Sequence, residues 1–245
     1  MKISFCFSIL LFWFLSYSVV EAQKTESNDY DAKLEDLAKS KGWSVSELNT
    51  AKNSAFLNEK EKEVVLAMNM ARTNPKKFTE DFIKPFLGYF DEKTMSVPGQ
   101  EDVGTVEGVN AVKELIKVLP KMKSSGVLTP SKALSLAAGD LVKSQEKTGK
   151  TGHIGEGGQT LPKRVNRYGN NSGLIAENVS YGEHTGLMVV ITLLIDDGVS
   201  SRGHRENIME SGLSLVGVKW GTHPKYDEMC AISFAVSFIA KKGLE

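Results

Sequence analysis

Four histidines are the chain's principal groups for ligating a metal or moving a proton near neutral pH. His153 stands in the glycine-rich run TGKTGHIGEGGQT, and His204 in RGHRENIM. Glycines around His153 allow backbone turns in which a side chain faces a cleft. His184 falls at an expected helix start, and His223 precedes Pro224 in an expected turn. A single histidine is more often packed or exposed than ligating. No short-range pattern such as H-E-x-x-H or C-x-x-C is present, so a metal centre would have to be assembled from distant segments.

Other reactive groups are sparse. Cys230 lies in the apolar run MCAISFAVSF and reads as a small core residue. Gly149-Lys150-Thr151 suggests a phosphate loop. However, Ser144 occupies the position that would need the first glycine, and a helix precedes the segment where a strand should. Asn170 and Asn178 each open an Asn-x-Ser glycosylation site, and Asn170, in YGNNSG, is the better placed of the two.

The segments that must position these groups are readable from capping and periodicity. Asn58 followed by Glu61 is a capping-box pattern that starts a helix through EKEVVLAMNMAR, ending near Asn74-Pro75. Short helices are expected over Lys76–Leu87 and Leu161–Tyr168, and amphipathic ones over Val106–Leu119 and His184–Asp196. Thr129-Pro130 reads as an N-cap and first helical residue ahead of an apolar stripe through Leu134, Ala138 and Leu141. Gly88–Thr105 is loop-like, with a turn at Pro98-Gly99. Ile175–Val179 suits a strand, and LSLVGVKWG and MCAISFAVSFIA an antiparallel pair. Helices first and strands last predict an α+β, layered domain without the alternation of a parallel βαβ fold.

The opening MKISFCFSILLFWFLSYSVVEAQ has the form of a signal peptide cleaved after Ala22; the competing reading is an uncleaved membrane anchor. The expected organisation is a signal peptide at 1–22, a polar and helical N-terminal arm at 23–55, and one domain at 56–240. With Cys6 removed, Cys230 has no partner for a disulfide, so core burial must stabilise the fold. Lysine plus arginine and aspartate plus glutamate number 30 each, which gives no basic surplus for nucleic acid or an anionic membrane.

LNEKEKEVVLAMNMARTNP, LTPSKALSLAAGD, KTGHIGEGGQTLPKRVNRYG, IAENVSYG, RGHRENIM, LVGVKWG and MCAISFAVSF follow one another in that order. Together they resemble the CAP superfamily (cysteine-rich secretory proteins, antigen 5 and plant pathogenesis-related proteins), in its disulfide-free, bacterial-type branch. The resemblance spans residues 56–239. It implies a three-layer α-β-α sandwich with a central antiparallel sheet. It also implies a solvent-open cavity lined by two histidines and two acids, which in many members holds a divalent cation such as zinc.

Residue by residue, the implied metal set is His153, Glu177, His204 and a fourth acid. Family members often place a glutamate one turn after a tryptophan in the preceding helix. Here VVITLLIDDGVSS has leucine at that position. Taking Leu194 as the equivalent gives Asp197, and a slip of one gives Asp196. The stretch from Gly88 to Ser125 lengthens the usual connection between the first two core helices. Function is then expected to be that of a secreted binding protein, periplasmic or surface-associated if bacterial, that contacts a lipid, a sterol or a cell-surface partner. The alternative is a metal-dependent hydrolase using the same cavity, with Asp197 or Glu206 as acid/base.

Overall fold

The computed structural model describes residues 33–98 and 101–244. The expected signal peptide, the lead-in 23–32 and Gly99 of the expected turn lie outside the described residues.

Two short helices, α1 (Leu34–Ser40) and α2 (Val45–Leu48), come first, and their buried Leu34, Ala38, Val45 and Leu48 join the main core with Trp43 between them. The expected arm is thus helical, and its apolar side chains pack as core. Helix α3 (Glu59–Thr73) starts as predicted: the Asn58 side chain accepts from Glu61 N while Glu61 accepts from Asn58 N. Such caps are worth about 1 kcal/mol. Glu61 also accepts from Trp220 N at 2.9 Å, so the cap ties the helix to the sheet. Val64 to Met68, Met70 and Ala71 are buried all round the helix, as befits a helix enclosed by neighbours.

Asn74 closes α3 and caps α4 (Pro75–Phe78), which runs through a π-helical turn into α5 (Lys84–Phe86). The expected loop at 88–105 instead holds three two-residue strands, β1 (Phe90–Asp91), β2 (Thr94–Met95) and β3 (Val103–Gly104), in an antiparallel sheet. Helix α6 (Val109–Val118) follows. Thr129–Pro130 forms β4, not a helix start. Thr129 N bonds Ser214 O, and the cap of α7 (Lys132–Thr148) moves on to Ser131. Helix α8 (Leu161–Asn166), strand β5 (Gly169–Tyr181), helices α9 (Gly186–Ile195) and α10 (Gly203–Met209), and strands β6 (Leu215–His223) and β7 (Asp227–Ala240) complete the chain.

The main sheet has the order β4-β6-β7-β5 and is antiparallel except for the short parallel β4–β6 pair. The register of β5 on β7 shifts between Ser172 and Ile175, which marks a bulge. Period-two alternation builds the three layers. Val216, Val218, Cys230, Ile232, Phe234 and Ala176 face the core of α3 and α9. Ala231, Met229, Val179 and Ala235 face α7 and α8. Gly217 lets α7 lie close, since a Cβ there would stand 2.1 Å from the Leu134 carbonyl carbon. The result is the expected α+β, α-β-α sandwich, and β5 is its edge strand beside α8, α9 and α10.

Candidate functional site

Adjacent residues of β5 point to opposite faces, and each holds one half of a site. Glu177 points toward α8. Its Oε1 lies 3.0 Å from His153 Nδ1, and its Oε2 accepts from the buried Arg164 guanidinium. Arg164 also donates to the His153 carbonyl at 3.0 Å and the Gln159 carbonyl at 2.7 Å, fastening the loop to helix α8. On the other side of the loop, Gly152 N donates to Tyr181 Oη at 2.8 Å, and the Gly152 carbonyl accepts from Gln145 Nε2 at 2.6 Å. The Tyr181 hydroxyl completes the ring by donating to Gln145 Oε1 at 2.8 Å, and burial raises its pKa. With φ at +94°, position 152 suits glycine, and His153 is presented from a loop pinned on both sides.

Asn178 points the other way. It donates to the His204 carbonyl at 3.0 Å and accepts from Asn207 Nδ2 at 2.9 Å, both on α10. That buried role leaves Asn178 no room for a glycan, whereas Asn170 is exposed at the start of β5. His204 Nδ1 lies 2.7 Å from Asp196 Oδ1, and His204 N donates to Asp196 Oδ2 at 2.9 Å. Asp196 ends α9 in the left-handed region, which turns its carboxylate back toward α10. Arg72 fixes the end of α10 from beneath. Its buried guanidinium donates to the carbonyls of Ile208, Glu210 and Leu213.

The acid that faces His204 is therefore Asp196, the one-residue alternative, and not Asp197. Asp197 turns outward and accepts from Val106 N at 2.6 Å and Glu107 N at 2.8 Å. Glu206 lies exposed on α10.

The halves meet at the β5 edge, with the His153 and His204 ring centroids 6.3 Å apart and tilted by 36°. The carboxylates are buried (side chains 3% and 2% exposed), and the imidazoles are open (50% and 24%). A carboxylate facing Nδ1 accepts a hydrogen bond from Nδ1–H, which in the neutral ring leaves Nε2 with its lone pair. The acids therefore orient the imidazoles. Glu177 is also hydrogen-bonded to Arg164, and Asp196 to the His204 backbone amide. Among the described residues, no cluster of three or more histidine, cysteine, aspartate or glutamate side chains could hold a metal. Two imidazoles fit a borderline cation such as zinc in donor chemistry. With Zn–N near 2.0–2.1 Å and a tetrahedral angle, two rings sharing one ion have centroids about 5.2 Å apart, so the observed 6.3 Å would have to close by about 1 Å.

The remaining motifs are structural. Gly149 is the left-handed C-cap of α7, not part of a phosphate loop. His223 is buried, accepts from Lys225 N and faces the Lys150 carbonyl. His184 is exposed, 3.5 Å from Glu228. Cys230 is buried, and burial raises its thiol pKa. A cleft of about 430 Å³ lies elsewhere, between α1, the start of α3 and His184. Sequence reasoning missed Arg164, Tyr181 and Gln145, whose residue types carry no signal of burial in LPKRVNRYG, IAENVSYG or SQEKTG.

No family profile matches the chain, and neither does any curated protein. Among solved structures it is similar to an outer surface protein from Borrelia burgdorferi, at 17% identity and a TM-score of 0.39, over 48% of this chain and 80% of that one. It is also similar to an extracellular protein containing an SCP domain from Bacillus anthracis, at 20% identity and a TM-score of 0.37, over 45% of this chain and 34% of that one. No helix among the described residues is long and apolar enough to cross a membrane.

Proposed function

We propose that this chain is an exported binding protein of the CAP type whose two carboxylate-oriented imidazoles, His153 and His204, jointly take one divalent cation of the zinc class. The observation that carries this reading is the pairing of a buried acid with Nδ1 on both rings, which directs two Nε2 lone pairs toward solvent. With two protein donors, the other coordination positions fall to water or to oxygens of a bound partner. A lipid or sterol headgroup, or a carboxylate on a cell-surface partner, has the chemistry to supply them. Asp196 and Glu177 act as orienting groups.

Calorimetric titration with zinc tests this directly. Wild type should bind one ion per chain, and the His153→Ala/His204→Ala double variant should bind none at the same concentrations. Equal binding by the two proteins would sink the reading.

The same dyads favour one alternative. A carboxylate-backed imidazole whose Nε2 is free of metal is a general base, and a zinc ion held by the two imidazoles would instead supply a bound water as nucleophile. A product that incorporates solvent oxygen, formed from an ester or peptide panel by wild type and not by the double variant, would move the assignment to a hydrolase.

A further inference from the structure

The lengthened connection between the early helices reaches the loop that carries half the site. We infer that Glu107 and Asp197 are positioning residues which latch the inserted segment onto loop 196–202 and thereby hold His204 against Asp196. This inference rests on reading the two imidazoles as the working groups.

The latch is reciprocal. Asp197, on the loop, accepts the backbone amides of Val106 and Glu107 at 2.6 and 2.8 Å. Glu107, on the insertion, accepts the backbone amide of Gly198 at 2.9 Å. Glu107 also accepts from both terminal nitrogens of the Arg202 guanidinium, at 2.6 and 2.7 Å, and Arg202 donates in turn to the Asp196 carbonyl at 2.7 Å. Further along the insertion, Glu114 in α6 forms a two-pronged pair with Arg205, at 2.9 and 2.7 Å. Arg205 is the neighbour of His204, and its Nε is held on the Leu194 carbonyl at 2.6 Å.

The loop needs such support. Two of the four described non-glycine residues with positive φ are its ends, Asp196 at 56° and Arg202 at 54°. Left-handed backbone at such residues is disfavoured and persists only where surrounding contacts fix it. Asp196 supplies the carboxylate to His204, and Arg202 is the residue from which α10 begins. If either residue relaxed to negative φ, the Asp196 carboxylate and the start of α10 would move apart. The His153 half, held by Arg164, Tyr181 and Gln145, has no part in the latch and serves as an internal reference.

The test is the nitrogen spectrum of the imidazoles, read by long-range proton–nitrogen correlation at pH 8 without metal, in wild type, Glu107→Ala and Glu107→Gln. Wild type should show His153 and His204 each in a single Nδ1–H form. In Glu107→Ala, His204 should shift to averaged nitrogen positions while His153 stays in place. Glu107→Gln, which keeps an acceptor for Gly198 N but loses the charge, should fall between them. If Glu107→Ala fails to fold, Glu107→Gln is judged by the same criterion. An unchanged His204 in the folded variant, or equal movement of both histidines, would overturn the latch. A wild type that binds no zinc removes the metal reading and leaves this comparison standing.

Discussion

Replacing Arg164 with methionine keeps a long apolar stem in α8 and removes the guanidinium that neutralises Glu177. The Glu177 side chain is 3% exposed and that of Arg164 is fully buried, so water cannot replace the lost partner without opening the layer between α8 and β5. Stranding one member of a buried ion pair costs about 3–5 kcal/mol. The carbonyls of His153 and Gln159 also lose their donor. They lie on an exposed loop where solvent can substitute, so their share is small. At about 2–4 °C per kcal/mol for a domain of this size, the melting temperature should fall by about 6–20 °C. Adding Glu177→Gln removes the stranded charge, so the Arg164→Met/Glu177→Gln double variant should recover about half of the loss. Urea unfolding by circular dichroism gives both free energies, and an unchanged denaturant slope would show that the same surface is exposed. The reasoning fails if Arg164→Met costs less than about 1 kcal/mol, or if the two substitutions simply add.

Two further outcomes follow from packing and burial. Gly217→Ala would place a methyl 2.1 Å from the Leu134 carbonyl carbon, and backbone must move to admit it. Overpacking of this kind costs about 1–3 kcal/mol or more, and a loss below about 0.5 kcal/mol in urea titration would contradict the close approach of α7 to the sheet. Burial raises the Glu183 carboxyl from 4.5 to about 7, with the Thr192 hydroxyl pulling the other way. Between those values the folded protein holds a proton that the unfolded chain has released, so stability falls as pH rises from about 4.5 to 7. Glu183→Gln should therefore match wild type at about pH 4 and exceed it at about pH 8 by about 1–3 kcal/mol. A constant difference at both pH values would show that burial does not govern this group.

Much of the scaffold was legible because it depends on local chemistry. The Asn58–Glu61 cap and the antiparallel pairing of β6 with β7 follow from patterns a few residues long. Where long-range contacts decide, the sequence misled. Thr129-Pro130 has the form of a helix start, yet an edge of the sheet takes it as a strand and shifts the cap to Ser131. The same holds at the site. His153, Glu177 and His204 were placed by resemblance, and the structure brings them together. Which acid meets His204 turned on a single residue's backbone: Asp196 adopts the left-handed conformation that aspartate tolerates better than most residues, and this sends neighbouring carboxylates in different directions. Arg164 gave no sign, because arginine is ordinarily exposed and its burial is visible only once Glu177 lies beneath it.

Strand β5 leaves an edge of the main sheet that must be covered. A 13-residue strand at the margin of a sheet is a template on which another chain could pair and extend the sheet. The register break between Ser172 and Ile175 interrupts that template in its first half. In the second half, His153 and His204 arrive from opposite layers and meet beside Glu177 and Asn178. A strand added there would have to displace the two rings. The two rings thus occupy the stretch of edge on which another strand would pair.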